Sequence, residues 1–271
     1  MNIYQRITRF YTGKQTEKLV IGESVFGRKI YALKVGEGRP IGLAQYAIHG
    51  REFITAELAI KQFAVGAAVG SIWFVPLVNP DGALLSQIGL SSVPIEQRKE
   101  LLSINGKSED FSLWKANGRG VDLNVNFAAD WGKGVKNLTY PNPENYIGER
   151  PFSEPESKAL RTFTKRINPD YTVSYHTKGE EIYWYYYQPI SACVRDKMLA
   201  LALARSTGYA LSQAKGSVGG YKDWCIKSLK IPSFTIEAGH DERAHPLRSL
   251  GEIENKNLYA LYDLSKEFVR L

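Results

Sequence analysis

A single α/β domain, built on a mixed, mostly parallel twisted sheet with helices on both faces, is the architecture this sequence predicts. Three observations carry it. Short apolar runs alternate with segments of helical periodicity along the 271 residues. Most of those runs are too apolar to leave one face in water, which places them inside a sheet covered on both sides. No repeat, low-complexity tract or Gly/Ser/Pro-rich linker divides the chain, and its 44% apolar and 12% aromatic content suffices for one sizeable core, so residues 1–271 are expected to form one domain.

The strand signals are RKIYALKV at 28–35, GLAQYAI at 42–48, IWFVPLV at 72–78, YTVSY at 171–175 and SFTI at 233–236. Helical patterns fall at 52–63, 154–167, 191–206, 221–229 and 252–269. Ser153 and Glu156 have the spacing of a capping box and set the start of the second helix. Two stretches, 86–120 and 128–150, hold turn formers and aromatics with little periodicity, so both are expected to be long ordered loops of the kind that usually serve function. YWYYY at 183–187 alternates its rings between two faces of an expected strand, one toward core or edge packing and one available to a substrate.

Bulk properties narrow the function. The net charge is +7, yet basic and acidic residues are interspersed and no run of five or six like charges occurs. Neither a nucleic-acid nor a membrane partner is expected: the pattern reads first as a solvated basic surface, and otherwise as a positive field that would favour an anionic substrate. Cys193 and Cys225 show no CxxC spacing and are expected to be reduced core thiols. The segment MNIYQRITRFYTG lacks the apolar stretch of a signal peptide, and no apolar run reaches membrane-spanning length, so a soluble cytoplasmic protein is expected.

Two of the four histidines occupy informative places. His49 follows an apolar strand, with Glu52 three residues on in HGRE, and His176 follows YTVSY. Open α/β sheets bind ligands outside the carboxyl ends of their strands, so both imidazoles are expected at one crevice. Two histidines and one carboxylate make a three-ligand zinc site with a fourth position free for water, the arrangement of a catalytic zinc. Glu237 ends a third apolar strand, where an unpaired carboxylate would be costly unless a cation or water met it.

Read together, HGRE at His49, VNPDG at Val78, GVDLNVNF at Gly120, PFSEPE at Pro151, SYH ending at His176, GGYKDW at Gly219 and FTIEAG ending at Gly239 resemble, in order, the zinc carboxypeptidases related to carboxypeptidase A. HTKGEEIYW and GGYKDW are most similar to the bacterial γ-D-glutamyl-diamino-acid peptidases, which cut cell-wall stem peptides beside diaminopimelate. The resemblance implies one Zn2+ per chain on His49, Glu52 and His176, with Glu237 as the general base that takes a proton from the metal's water. It also implies that Arg119 in NGRGVDLN, at the position where many bacterial members place an arginine, faces the developing oxyanion, with Lys115 in WKAN as the competitor for that role. Asn124 matches the residue that binds a substrate's terminal carboxylate.

Two departures bear on specificity. Val125 stands where the family places an arginine, which removes the bidentate grip on a terminal α-carboxylate. Lys215 stands near the place of a tyrosine found in digestive members, a few residues before Gly219 and Gly220. Lys222 falls where the family selects the leaving side chain, and a lysine suits a side chain ending in a carboxylate; a solvated helix lysine is the plainer reading. His240 and His245, in the polar loop after Glu237, are expected at the surface, and Arg51 is left between substrate contact and a local pair. The leading function is therefore hydrolysis of a peptide or isopeptide bond in a short acidic peptide, above all the γ-D-glutamyl bond to diaminopimelate in peptidoglycan stem peptides. The alternatives are an N-acyl amino acid hydrolase and a non-catalytic zinc-bearing module that binds cell-wall peptides.

Overall fold

The computed structural model describes residues 1–213, 216–240 and 249–271. Its elements run α1 Ile3–Gly13, β1 Lys18–Glu23, β2 Lys29–Gly36, β3 Ile41–Tyr46, α2 Ile54–Val65, β4 Ser71–Val75, α3 Pro80–Ile88, α4 Ile95–Ile104, α5 Pro155–Ile167, β5 Tyr171–His176, β6 Glu181–Tyr183, α6 Ile190–Thr207, β7 Ala210–Ser212, α7 Tyr221–Trp224, β8 Ser233–Glu237, α8 Leu250–Asn257 and α9 Ala260–Phe268. The strands form one eight-stranded sheet in the order β1-β2-β4-β3-β5-β8-β6-β7. Its middle, β4-β3-β5-β8, is parallel throughout. Antiparallel pairing joins β1 to β2, β2 to β4 and β6 to β8.

The two faces follow from the period-2 alternation of each central strand. In β5, Tyr171, Val173 and Tyr175 point into a core shared with α2, α6, α8 and α9. A second core on the opposite face packs Leu43, Trp73 and Val75 against Leu160 and Phe163 of α5 and Tyr221 and Trp224 of α7. Helices thus cover both faces, as the apolar runs require. Among the described residues no helix is long and apolar enough to cross a membrane.

Several elements differ from expectation for identifiable reasons. α1 was not anticipated; Asn2 and Gln5 close a reciprocal capping box, and Ile3 and Ile7, one turn apart, are buried. The loop expected over 86–120 contains α4, whose only buried side chain is Leu101, so it has almost no apolar stripe to betray it. The C-terminal helix is two, α8 and α9. The strand expected at 183–187 ends at Tyr183, since its pairing with β8 stops there. The helix expected over 221–229 passes at Cys225 into a π turn. Cys225 is buried and Cys193 only partly so, and both are free thiols.

The capping box at Ser153 is a correction. Glu154 is the N-cap of α5 and makes no side-chain cap bond, while Pro155, which lacks an N–H, fills the first turn. Ser153 donates instead to Glu154 Oε1 at 2.7 Å. Glu156 turns away from its own helix: Oε1 accepts from Val25 N–H at 3.0 Å and Oε2 from Asn117 Nδ2 at 3.1 Å. It thereby ties α5 to the turn before β2 and to the 117–121 turn.

Burial, with the charge of Asp81 second, pushes the Glu156 carboxyl up to about 8. The folded protein therefore holds a proton that the unfolded chain releases above its ordinary carboxyl pKa. This group's contribution to stability is complete below that ordinary value and is lost as pH rises to about 8. Unfolding in denaturant should show stability falling over that window by up to roughly 3–5 kcal/mol from this group. Glu156→Gln should flatten the fall; an identical pH profile in the variant would remove Glu156 as its origin.

Candidate active site

The parallel register brings three chain-distant residues together. His176, last in β5, lies beside Glu237, last in β8. Tyr46, last in β3, lies beside Tyr175, and the chain then turns through Ala47 and Ile48 to His49. A 3-10 turn over Gly50–Glu52 returns the carboxylate of Glu52 toward the two rings. That turn is packed against backbone: a Cβ on Gly50 would lie 2.5 Å from the Gly82 carbonyl, so only glycine fits. Asn79 fastens it, its Nδ2 donating to the carbonyls of Ile48 at 3.2 Å, Lys115 at 3.3 Å and Ala116 at 3.0 Å.

Glu52 Oε1 lies 2.9 Å from His49 Nδ1, and its Oε2 lies 3.0 Å from His176 Nδ1. The two Nδ1 atoms are 3.1 Å apart. All three side chains are buried, and their potential ligand atoms lie within 4.8 Å of one another. Burial opposes ionisation of Glu52, but the flanking imidazoles outweigh it and hold its carboxyl well below the usual range. Burial likewise opposes a charge on His49, but Glu52 and Asp122 outweigh it and raise its pKa to about 9. The cluster favours positive charge at its centre. Two imidazole nitrogens and a carboxylate converging within 4.8 Å fit a metal ion and match the donor set of catalytic zinc.

Asp122 is the residue that sequence reasoning missed. Its Oδ1 lies 3.1 Å from His49 Nε2, and the backbone N–H groups of Asn124 and Asn145 hold the carboxylate in place. A ligating imidazole needs an acceptor at its second nitrogen, and this carboxylate supplies it. The available signal was an acid inside GVDLN, a segment already singled out for Asn124.

Glu237 lines a cavity of about 230 Å³ together with Asn124, Tyr183, Ser217, Gly220, Lys222, Asp223 and Thr235. Burial pushes its carboxyl up to about 7 against the opposing pull of His176. Asn124, which lines the cavity, accepts at Oδ1 from Tyr221 N–H at 3.1 Å, a bond that does not use its amide NH2. Lys222 is 5% exposed and so is not a solvated helix lysine. Its Nζ donates to Asp223 Oδ1 at 2.6 Å and to the Tyr185 carbonyl at 3.2 Å and sits 5.3 Å from the centre of the Tyr186 ring. Val125 is buried, and Gly219 packs against its backbone.

The two candidate cations part company. Arg119 is exposed, 3.7 Å from Glu154, and lines a separate cavity with Tyr146 and Arg150 that shares no residue with the one holding Glu237. Lys115 is partly buried; burial opposes its charge, but Asp122 and Glu52 outweigh it and raise its pKa. Its segment is pinned to the HGRE turn, with Gly50 N–H donating to the Lys115 carbonyl at 2.9 Å and Arg51 N–H to that of Trp114 at 2.8 Å. His240 pairs with Glu180 at the surface, while Lys215 and His245 lie outside the described residues.

The chain is 30% identical over 261 residues to the γ-D-glutamyl-L-diamino acid endopeptidase 1 of Lysinibacillus sphaericus, covering 88% of this chain and 64% of that enzyme. To the murein peptide amidase A of Escherichia coli K12 it is 30% identical over 168 residues, covering 55% of this chain and 59% of that protein. The structure of murein-tripeptide amidase from Escherichia coli O157 superimposes with a TM-score of 0.61 at 25% identity, over 95% of both chains. Bovine thrombin-activatable fibrinolysis inhibitor shares the fold at a TM-score of 0.78 and 20% identity, over 100% of this chain and 97% of that one. The profile of the zinc carboxypeptidases matches residues 11–260, and the chain belongs to that family of metallopeptidases.

Proposed function

We propose that this chain holds one zinc ion on His49, Glu52 and His176 and hydrolyses a peptide or isopeptide bond in short acidic peptides, with the γ-D-glutamyl bond to diaminopimelate in cell-wall stem peptides as the substrate that fits best. The observation that carries the reading is the cavity in which Glu237, Asn124 and the buried Lys222 meet beside the metal triad. Zinc bound there supplies a Lewis acid and lowers the pKa of its water toward neutrality. Glu237, at the same strand level as His176, accepts the proton and can return it to the leaving nitrogen. Lys115, rather than Arg119, is the cation placed to meet negative charge on the acyl oxygen, since Asp122 and Glu52 act on it electrostatically and Arg119 borders another cavity. Asn124 and Lys222 hold the carboxylates of the departing residue. Turnover of an L-Ala-γ-D-Glu-diaminopimelate peptide, followed by mass spectrometry, tests the whole; an intact peptide after incubation with zinc-loaded protein would overturn it in favour of a binding module.

Because the His49 pKa stands at about 9 before any metal binds, zinc uptake at pH 7 should release about one proton per chain, readable in weak buffer beside the metal stoichiometry. Uptake without proton release would show that the ligands are not these.

Glu237→Gln should keep the metal and lose activity by at least about 10²-fold to 10⁴-fold, since an amide cannot accept the proton. Near-parental turnover would displace Glu237 as the base. Lys115→Ala should lower kcat by about 10²-fold to 10³-fold, the usual cost of one oxyanion donor, with Arg119→Ala close to parent. The reverse order would return the role to Arg119.

Lys222 should make peptides ending in diaminopimelate better substrates than matched peptides ending in lysine. A charge-assisted hydrogen bond of about 1.5–3 kcal/mol corresponds to roughly 10-fold to 150-fold in kcat/KM. Lys222→Glu should invert that preference by replacing attraction with repulsion. An unchanged ratio in the variant would place acidic selectivity elsewhere.

A further inference from the structure

Beneath the metal triad the sheet carries polar groups that the proposed reaction does not use. Gln45 of β3 is fully buried, and among the described residues neither its Oε1 nor its Nε2 has a hydrogen-bond partner. Its register neighbour on β5 is Ser174, 1% exposed, whose hydroxyl is likewise unpartnered. Two residues on, on the same face of β5, His176 Nε2 is buried and unpartnered as well. Ser174 is in turn the register neighbour of Thr235 on β8, which lines the cavity. The adjacent pair on that face behaves otherwise, since Thr172 and Ser233 satisfy each other at 2.5 Å. Four unpartnered polar atoms on adjacent central strands are not what a well-packed apolar face leaves behind, because buried donors and acceptors are almost always paired with protein or ordered water.

We infer that Gln45 and Ser174 hold buried water against His176 Nε2 and are positioning residues for that metal ligand. The inference rests on the metal centre proposed above. His176 offers Nδ1 to the triad, which requires the proton on Nε2, and a ligating imidazole needs an acceptor there. His49 has a carboxylate for the purpose in Asp122; His176 has none among the described residues. Water accepting from Nε2–H and bonding the Ser174 hydroxyl and the Gln45 amide gives the groups a common partner, and two to four polar contacts are what a buried water needs. Gln45 and Ser174 are buried and do not line the cavity, whereas Thr235, the register neighbour of Ser174, does.

The test is zinc affinity, measured by chelator competition on folded protein, in Ser174→Ala and Gln45→Met, the latter close in volume and without the amide. Each should raise the zinc Kd about 10-fold to 100-fold, the usual effect of losing a ligand's outer hydrogen bond. The double variant should cost little more than the worse single one, because both act through the same water. Cobalt substituted into the parent and variants should show shifted visible bands, a readout insensitive to mere loss of stability. If a variant does not fold, a high-resolution crystal structure of the zinc-loaded parent decides: water within hydrogen-bond reach of His176 Nε2 and of Ser174 or Gln45 supports the inference. A dry site with Gln45 bonded directly to the ring overturns it, as do parental zinc affinity and cobalt spectra in both variants. Parent protein that binds no zinc on the triad fails the metal centre itself, a result distinct from either.

Discussion

The register between β5 and its two parallel neighbours is the constraint on which the rest of the site depends. It sets His176 level with Glu237 and Tyr46 level with Tyr175, so that three strand ends deliver their chemistry at one edge of the sheet. A slip of one residue in β5 would send His176 and Ser174 into the core now filled by Tyr171, Val173 and Tyr175. That alternative is closed by the aromatic packing on the opposite face. Tyr46 stacks on Tyr175 at 4.9 Å, and both hydroxyls bond to Gln62 of α2, which also donates to the Asn257 carbonyl on α8. Polar groups in a core stabilise one arrangement over its neighbours when every member has a partner.

With the strands fixed, the site is a problem in charge. Glu52 and Asp122 are carboxylates taken almost wholly out of water, which is tolerable only where cations and donors meet them. His49 stands between the two, Lys115 is held near both, and the acid of Glu237 faces the same field from β8. Removing any single partner leaves the others unbalanced, so substitutions here should damage the neighbours' protonation as much as they remove a contact. The metal fits this arithmetic: a divalent cation offsets the negative charge that the two imidazoles meet only in part.

Legibility in the sequence followed how local the cause was. The central strands were readable because β3, β4, β5 and β8 are buried on both faces and carry no charged residue before their last position, and they led to His49, His176 and Glu237. Ser153 and Glu156 had the right spacing for a cap, yet Glu156 is held by Val25 and Asn117, which precede it by 131 and 39 residues. Long-range competition of that kind leaves no trace in spacing. Arg119 and Lys115 could not be separated for the same reason: they are four residues apart in a region without periodicity, and only the fold shows that Lys115 lies near Asp122 and Glu52 while Arg119 pairs with Glu154. Asp122 was visible as a residue and invisible as a partner, since only the fold shows which acid reaches His49.

Val125 and Lys222 together describe what the cavity asks of its ligand. Val125 cannot supply the bidentate clamp that a guanidinium would give a chain terminus, and on the proposed function discrimination would fall to the side chain of the departing residue. Lys222 offers three N–H donors, two of which meet Asp223 and the Tyr185 carbonyl, and the third is left for the cavity that it lines. Its charge is already balanced by Asp223, whose second oxygen accepts from Gly220 N–H. A buried pair that is neutral overall favours a ligand end that is neutral overall and carries both signs, because each charge then finds its opposite without leaving another exposed. In the substrate proposed for this chain, the far end of diaminopimelate, an amino group and a carboxylate on one carbon, would meet that condition; a plain acidic side chain would bring only one of the two charges, and a lysine only the other.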